Sequence, residues 1–129
     1  MMLRYPTLVA AALVVAATAN AQCVTTYPNT EAFTDGTVGV PGTFANNWAN
    51  QAGDDLQWNV DNNGTPTAAT GPIGDHTGYN TNGKYAYVEA TGAGATPSKS
   101  AILQSPCYDL STLAKHYLTF WYHMHGNQR

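Results

Sequence analysis

Two histidines stand two residues apart near the end of the chain, in Tyr122-His123-Met124-His125. On an extended strand, residues i and i+2 project from the same face, so both imidazoles lie side by side. His-x-His is a recurring metal-ligand pair, and a transition-metal site would draw a third ligand from His76 or Asp75. The alternative is structural: His123 caps an aromatic layer and His125 begins a turn at Gly126. Four carboxylates form a second set. Asp54 and Asp55 are adjacent, Asp75 sits in Gly74-Asp75-His76-Thr77, and Glu89 ends an apolar run. Oxygen ligands drawn from loops at a sheet end suit Ca²⁺ or Na⁺, which tolerate irregular geometry. The competing reading makes Asp75 a turn former bonded to its own backbone and leaves Asp54 and Asp55 solvated.

Catalytic patterns are missing. A glycosidase pair needs two carboxyl groups about 5–9.5 Å apart across a cleft. Glu89 has Tyr87 two residues before it and Thr91 two after, and no Glu-x-Asp or Glu-x-x-x-Glu pair occurs. Neither Gly-x-Ser-x-Gly nor a Gly-rich phosphate loop is present. No residue is therefore assigned a catalytic role, and the chain reads as a non-enzyme. Asn63-Gly64-Thr65 fits an N-glycosylation sequon, of consequence only in a eukaryotic secretory pathway.

Strands must position these residues, because helical periodicity is confined to one turn at 111–115. Leu56, Trp58 and Val60 alternate with Gln57 and Asn59, and Asp61-Asn62-Asn63-Gly64 closes that strand with a tight turn. Residues 65–82 form a long Gly/Pro/Thr/Asn-rich stretch, in which Pro66, Pro72 and Asp75 favour an ordered loop over disorder. A strand over 84–90 is apolar on both faces, Tyr85 and Tyr87 on one, Ala86 and Val88 on the other. Residues 92–97 make a loop and 100–104 a strand. The strongest alternation is over 116–124: Leu118, Phe120, Tyr122 and Met124 against Thr119, Trp121 and His123. A weaker strand is expected at 31–33, with Phe44 and Trp48 packed near it. The tryptophans and Phe120 read as packing residues rather than a stacking platform for sugar or a partner, and Tyr79 as the most exposed aromatic. Short strands between Gly/Pro/Asn turns imply a β-sandwich.

The bulk numbers set the compartment. At 129 residues the chain holds one domain. Residues 1–21 read as a signal peptide: Arg4, an apolar run of about ten residues at 8–17, then Ala19-Asn20-Ala21 before Gln22. That run is too short to span a bilayer of ~30 Å, and no other segment is apolar enough. Lipidation at Cys23 would need a small residue before it, and Gln22 is not small. Beyond the leader, four basic residues face eight carboxylates, a net charge of −4 that excludes phosphate-backbone binding and hence nucleic acid. Cys23 and Cys107 enter an oxidising space, where an even count favours a disulfide. Such a bridge is worth roughly 4 kcal/mol in the chain-entropy model. Free thiols, or pairing outside the chain, are the alternatives.

Six blocks in series carry a resemblance: Asp54-Asp55-Leu56-Gln57-Trp58, Gly64-Thr65-Pro66-Thr67, Thr70-Gly71-Pro72-Ile73-Gly74-Asp75-His76-Thr77, Gly83-Lys84-Tyr85-Ala86-Tyr87-Val88-Glu89-Ala90, Leu103-Gln104-Ser105-Pro106 and Leu118-Thr119-Phe120-Trp121-Tyr122-His123-Met124-His125-Gly126. In this order they resemble a MAM domain. The resemblance implies a jelly-roll β-sandwich of the concanavalin A-like lectin/glucanase type over 22–129. It also implies a secreted or cell-surface setting and adhesion or protein interaction without catalysis. A structural Ca or Na ion at Asp54, Asp55, Asp75 and Glu89 is plausible on the same ground. The usual animal pattern has four cysteines against two here, so its pairing does not transfer. The pattern normally continues beyond the Trp-Tyr-His-Met block, so the sandwich is expected to be incomplete at its C-terminus and to self-associate through the exposed edge. The leader has a bacterial flavour. A carbohydrate-binding accessory domain of a secreted hydrolase or peptidase, with a glycan as ligand, is the competing function.

Overall fold

The computed structural model describes residues 22–77, 83–91 and 98–126. The leader, Tyr79 and the expected 92–97 loop lie outside the described residues. Four strands form in the order β1 (Ala49–Asn50), β2 (Trp58–Asp61), β3 (Tyr85–Val88) and β4 (Leu103–Gln104). They make two antiparallel two-stranded sheets, β1 with β4 and β2 with β3. No helix occurs among the described residues. The fold is all-β, consistent with the sandwich expected from the sequence.

The β2–β3 register pairs Trp58 with Val88, Asn59 with Tyr87, Val60 with Ala86 and Asp61 with Tyr85. Val60 is fully buried and Tyr87 nearly so, and these two are the buried hydrophobics among the described residues. Residues 37–43 fold into a small hairpin whose Gly39 N–H donates to the Val60 carbonyl at 3.1 Å, extending the sheet past β2. Gly42 makes that approach feasible, because a Cβ there would come within 2.7 Å of the Val60 amide nitrogen. Buried Asn59 is satisfied locally: its Oδ1 accepts from the Gly42 N–H at 3.3 Å, and its Nδ2 donates to the Gln57 carbonyl at 3.2 Å. Asp61 ends β2, its Oδ1 accepting from the Asn62 and Asn63 amides.

The second sheet was only half legible. β4 lies within the expected 100–104 strand, but β1 carries no alternating pattern; it forms because 98–104 docks onto 50–58. Gln51 donates to the Ile102 carbonyl, Asp55 and Leu56 both donate to the Ser100 carbonyl, and Trp58 Nε1 donates to the Ala101 carbonyl. Cys23 and Cys107 are joined as a disulfide with Cα atoms 4.5 Å apart. A parallel bridge, Val24 to Tyr108, runs beside it.

Three expectations need correction. Residues 31–33 form no strand, since Phe33 has a φ of 56° that breaks an extended run; its ring does pack edge-on against Phe44 and Trp48, as expected of those two. Residues 116–124 form no ladder either. The segment has no turn or bend, but among the described residues none of its backbone groups meets another backbone group. A strand needs a hydrogen-bonded neighbour, and alternation alone does not supply one. Finally, Trp48 and Trp58 are half-buried, whereas Phe120 and Trp121 are 71% and 77% exposed and pack in no core.

Candidate functional site

The long loop is pinned along β3 by side chains from both. Tyr85 donates its hydroxyl to the Pro72 carbonyl at 3.0 Å. The Glu89 carboxylate accepts from the Thr67 amide at 3.3 Å and from the Thr91 amide and hydroxyl. Asp75 lies directly against Gly83, where any Cβ would collide with the carboxylate. Lys84 crosses the other way, its Nζ donating to the Thr34 and Gly36 carbonyls at 2.7 and 2.6 Å. These contacts make an ordered loop of 65–77.

The loop, β3 and segment 118–126 together line an open groove of about 1280 Å³. Phe33, Trp48, Tyr85 and Tyr87 contribute aromatic surface to it, and Phe120 and Trp121 face it from the C-terminal segment. An aromatic contact ties that segment to the loop: the His76 imidazole stacks on the Trp121 indole, centroids 3.7 Å apart and planes 13° from parallel. The Phe120 and Tyr122 rings lie 6.2 Å apart, the relation of i and i+2 side chains on one face of an extended chain. Six large apolar side chains here are mostly exposed: Tyr117, Leu118, Phe120, Trp121, Tyr122 and Met124, at 71–88%.

Burial changes the groove tyrosines. It pushes the Tyr85 phenol up to about 12, aided by nearby Asp61, and raises Tyr87 as well. The Tyr87 hydroxyl is buried without a hydrogen-bond partner among the described residues. Hydrogen bonds from the Thr91 side chain come first in holding Glu89 below the usual carboxylate range, outweighing its partial burial.

The four predicted carboxylates serve two places. Asp75 and Glu89 both border the groove. Asp54 and Asp55 lie under 98–102 instead: Asp54 accepts from the Ile102 amide at 2.6 Å and from Gln57 Nε2 at 2.9 Å. Asp55 takes Lys99 Nζ at 2.7 Å and the Ser100 amide at 3.0 Å. The chain's own donors hold Asp54 and Asp55 against 98–102, away from the groove lining that includes Asp75 and Glu89. Among the described residues no three His, Cys, Asp or Glu side chains are arranged to hold a metal ion, and His123 and His125 gain no third ligand. The sequence reading missed the Tyr87 hydroxyl and the His76–Trp121 stack. The tyrosine was visible as a packing residue, but its unpaired oxygen depends on the fold. The stack joins residues too far apart for any local pattern to show.

A family profile described as "MAM domain, meprin/A5/mu" matches residues 41–129. The chain belongs to the MAM domain family. Similar proteins include Neuropilin-1a of Danio rerio, 41% identical over 72 residues, which cover 56% of this chain and 7% of that protein. Neuropilin-1 of Xenopus laevis is 41% identical over 81 residues, covering 63% and 8%. MAM domain-containing protein 2 of Homo sapiens is 42% identical over 72 residues, covering 54% and 9%. The chain thus spans less than a tenth of the length of these relatives. They are vertebrate proteins and lend no support to a bacterial source. No solved structure matches. No helix of this MAM domain, among the described residues, is long and apolar enough to cross a membrane.

Proposed function

We propose that this MAM domain is a non-catalytic extracellular module that works by adhesion or protein interaction, released after Ala21 or displayed at a cell surface. The observation that carries this is the 116–126 segment, which presents a row of exposed aromatic and aliphatic side chains beside a groove. Contiguous apolar surface of this kind is a partner-binding feature. The Cys23–Cys107 bridge fits an oxidising compartment. The partner is an extracellular protein, including a further copy of the chain meeting the exposed edge. A glycan-binding accessory role is the weaker reading, because stacking aromatics alone favour it.

Beads coated with the protein should bind one another or bind cells, and Phe120→Lys should abolish that binding. Beads that stay dispersed and cell-free, with glycan-array signal instead, would favour the accessory role. Ca²⁺ or Na⁺ at Asp75 and Glu89 is proposed on the resemblance alone. Added Ca²⁺ should then raise the melting temperature relative to a chelator, as a ligand that binds only the native state does. Identical melts would reject it.

A further inference from the structure

We infer that Gln22, once the leader is removed, closes on itself to an N-terminal pyroglutamate lactam, a modification that seals the residue ahead of the Cys23–Cys107 bridge. The inference rests on the reading of release after Ala21 given above. Gln22 follows Ala19-Asn20-Ala21 directly, so cleavage there makes its α-amine the terminus of the chain. A glutamine side chain carries a carboxamide carbon that its own α-amine reaches in a small, low-strain ring. Gln22 is exposed, and among the described residues nothing is hydrogen-bonded to its side chain. The amine and the carboxamide are therefore free to meet.

The chain is held from the next residue on. Cys23 is bonded to Cys107, with Cα atoms 4.5 Å apart. The Val24 N–H donates to the Cys107 carbonyl at 2.8 Å, and the Asp109 N–H donates to the Val24 carbonyl at 2.9 Å. The Tyr27 hydroxyl donates to the same Val24 carbonyl at 2.8 Å. Gln22 projects from this pinned edge, and ring closure changes no contact beyond that residue. The α-amine nitrogen attacks the Cδ carbon. The N–Cδ bond forms, the Cδ–Nε2 bond breaks, and ammonia leaves with a proton taken from the amine. The step needs no oxidant, reductant or co-reactant. An α-amine titrates at about 7.7–8.0, so its nucleophilic neutral form is populated near neutral pH. The product has lost the terminal ammonium charge. Chain ends are where proteolysis concentrates, and an aminopeptidase that grips a free α-amine finds none here. Trimming through Gln22 and Cys23 would cut the chain loose from Cys107, so the lactam guards the bridge.

The test uses the full chain exported through its own leader, with the Cys23–Cys107 bridge checked by mass before and after reduction. Amine labelling of the intact protein should mark Lys84, Lys99 and Lys115 and no α-amine. Labelling precedes digestion, so a ring closed during digestion is not counted. The N-terminal peptide should then begin at residue 22 and be lighter than its glutamine form by one ammonia. Pyroglutamate aminopeptidase should remove that first residue. Gln22→Ala cannot form the ring, and its α-amine should take the label while the bridge stays intact. A labelled α-amine on Gln22 at full mass overturns the cyclisation and leaves release after Ala21 standing. A terminus at any other residue overturns both.

Discussion

Asp55 shows how a side chain read as solvated or as a metal ligand becomes structural. The Lys99 ammonium, then the Ser100 amide, hold its carboxyl below the ordinary range, and Thr91 does the same first for Glu89. A carboxylate whose folded pKa lies below its unfolded value stabilises the fold above the unfolded pKa, and that contribution is lost as pH falls through the folded one. Melting temperature should therefore fall as pH drops below about 4, and Asp55→Asn should flatten that fall. Tyr85 works in the opposite sense. Its phenol is raised to about 12, so its stabilisation is complete below the ordinary value near 10 and is lost between there and about 12. Ultraviolet titration should show Tyr27, Tyr85 and Tyr87 ionising above the ordinary phenol value. At Tyr87 the buried hydroxyl lacks a partner among the described residues. An unpaired buried group costs about 1–3 kcal/mol, so Tyr87→Phe should match or exceed the original stability in chemical denaturation; a clear loss would mean that the oxygen is bonded after all. The Asp55 and Tyr85 environments were not legible in the sequence, because Lys99, Ser100 and Pro72 lie far along the chain from them; at Glu89 the first donor, Thr91, is only two residues on.

At the scale of elements, legibility followed the source of the hydrogen bonds. β2 and β3 were visible because apolar alternation and the Asp61–Gly64 turn both mark them, and their partner is in reach. β1 was invisible: two residues carry no period, and the strand exists only where 98–104 returns. Segment 116–124 was the strongest pattern and forms no ladder among the described residues, since side-chain alternation states a readiness to pair and not the presence of a pair. The loop before β3 leans on a small residue. A Cβ at Gly83 would come within 2.1 Å of the Asp75 carboxylate, so Gly83→Ala makes that side chain swing aside and give up its place against residue 83. Protease nicking within 65–77 should rise in that variant, whereas unchanged protection would show that the loop is held by Tyr85 and Glu89 alone.

For the whole molecule, the balance between buried and exposed apolar surface is unusual. Val60 and Tyr87 are the buried hydrophobics among the described residues, and eleven large ones are exposed. Domains of this size retain only ~5–15 kcal/mol, so covering part of the exposed set matters to stability. A partner that binds only the folded state raises the melting temperature with its own concentration. Calorimetry over a wide range of protein concentration should therefore show a rising transition for the unsubstituted chain and a flat one for Phe120→Lys. The family, the all-β class and the disulfide were legible because ordered motifs, turn chemistry and cysteine count are properties of the chain. The groove and its exposed segment were not, because they depend on which strands find neighbours.

The Cys23–Cys107 bridge also decides how the molecule bears load. A module that works by adhesion, as proposed above, is pulled, and tension entering near Cys23 and leaving beyond Cys107 passes through one covalent bond. Everything between the two cysteines, both sheets and the groove loop, is bypassed while the bridge lasts. Only 108–126 pays out at first, and that is the stretch carrying the exposed aromatic row. In single-molecule stretching, adding reductant should release a further length set by the 84-residue separation, about 290 Å at full extension. With the bridge intact, the sheets should be mechanically silent.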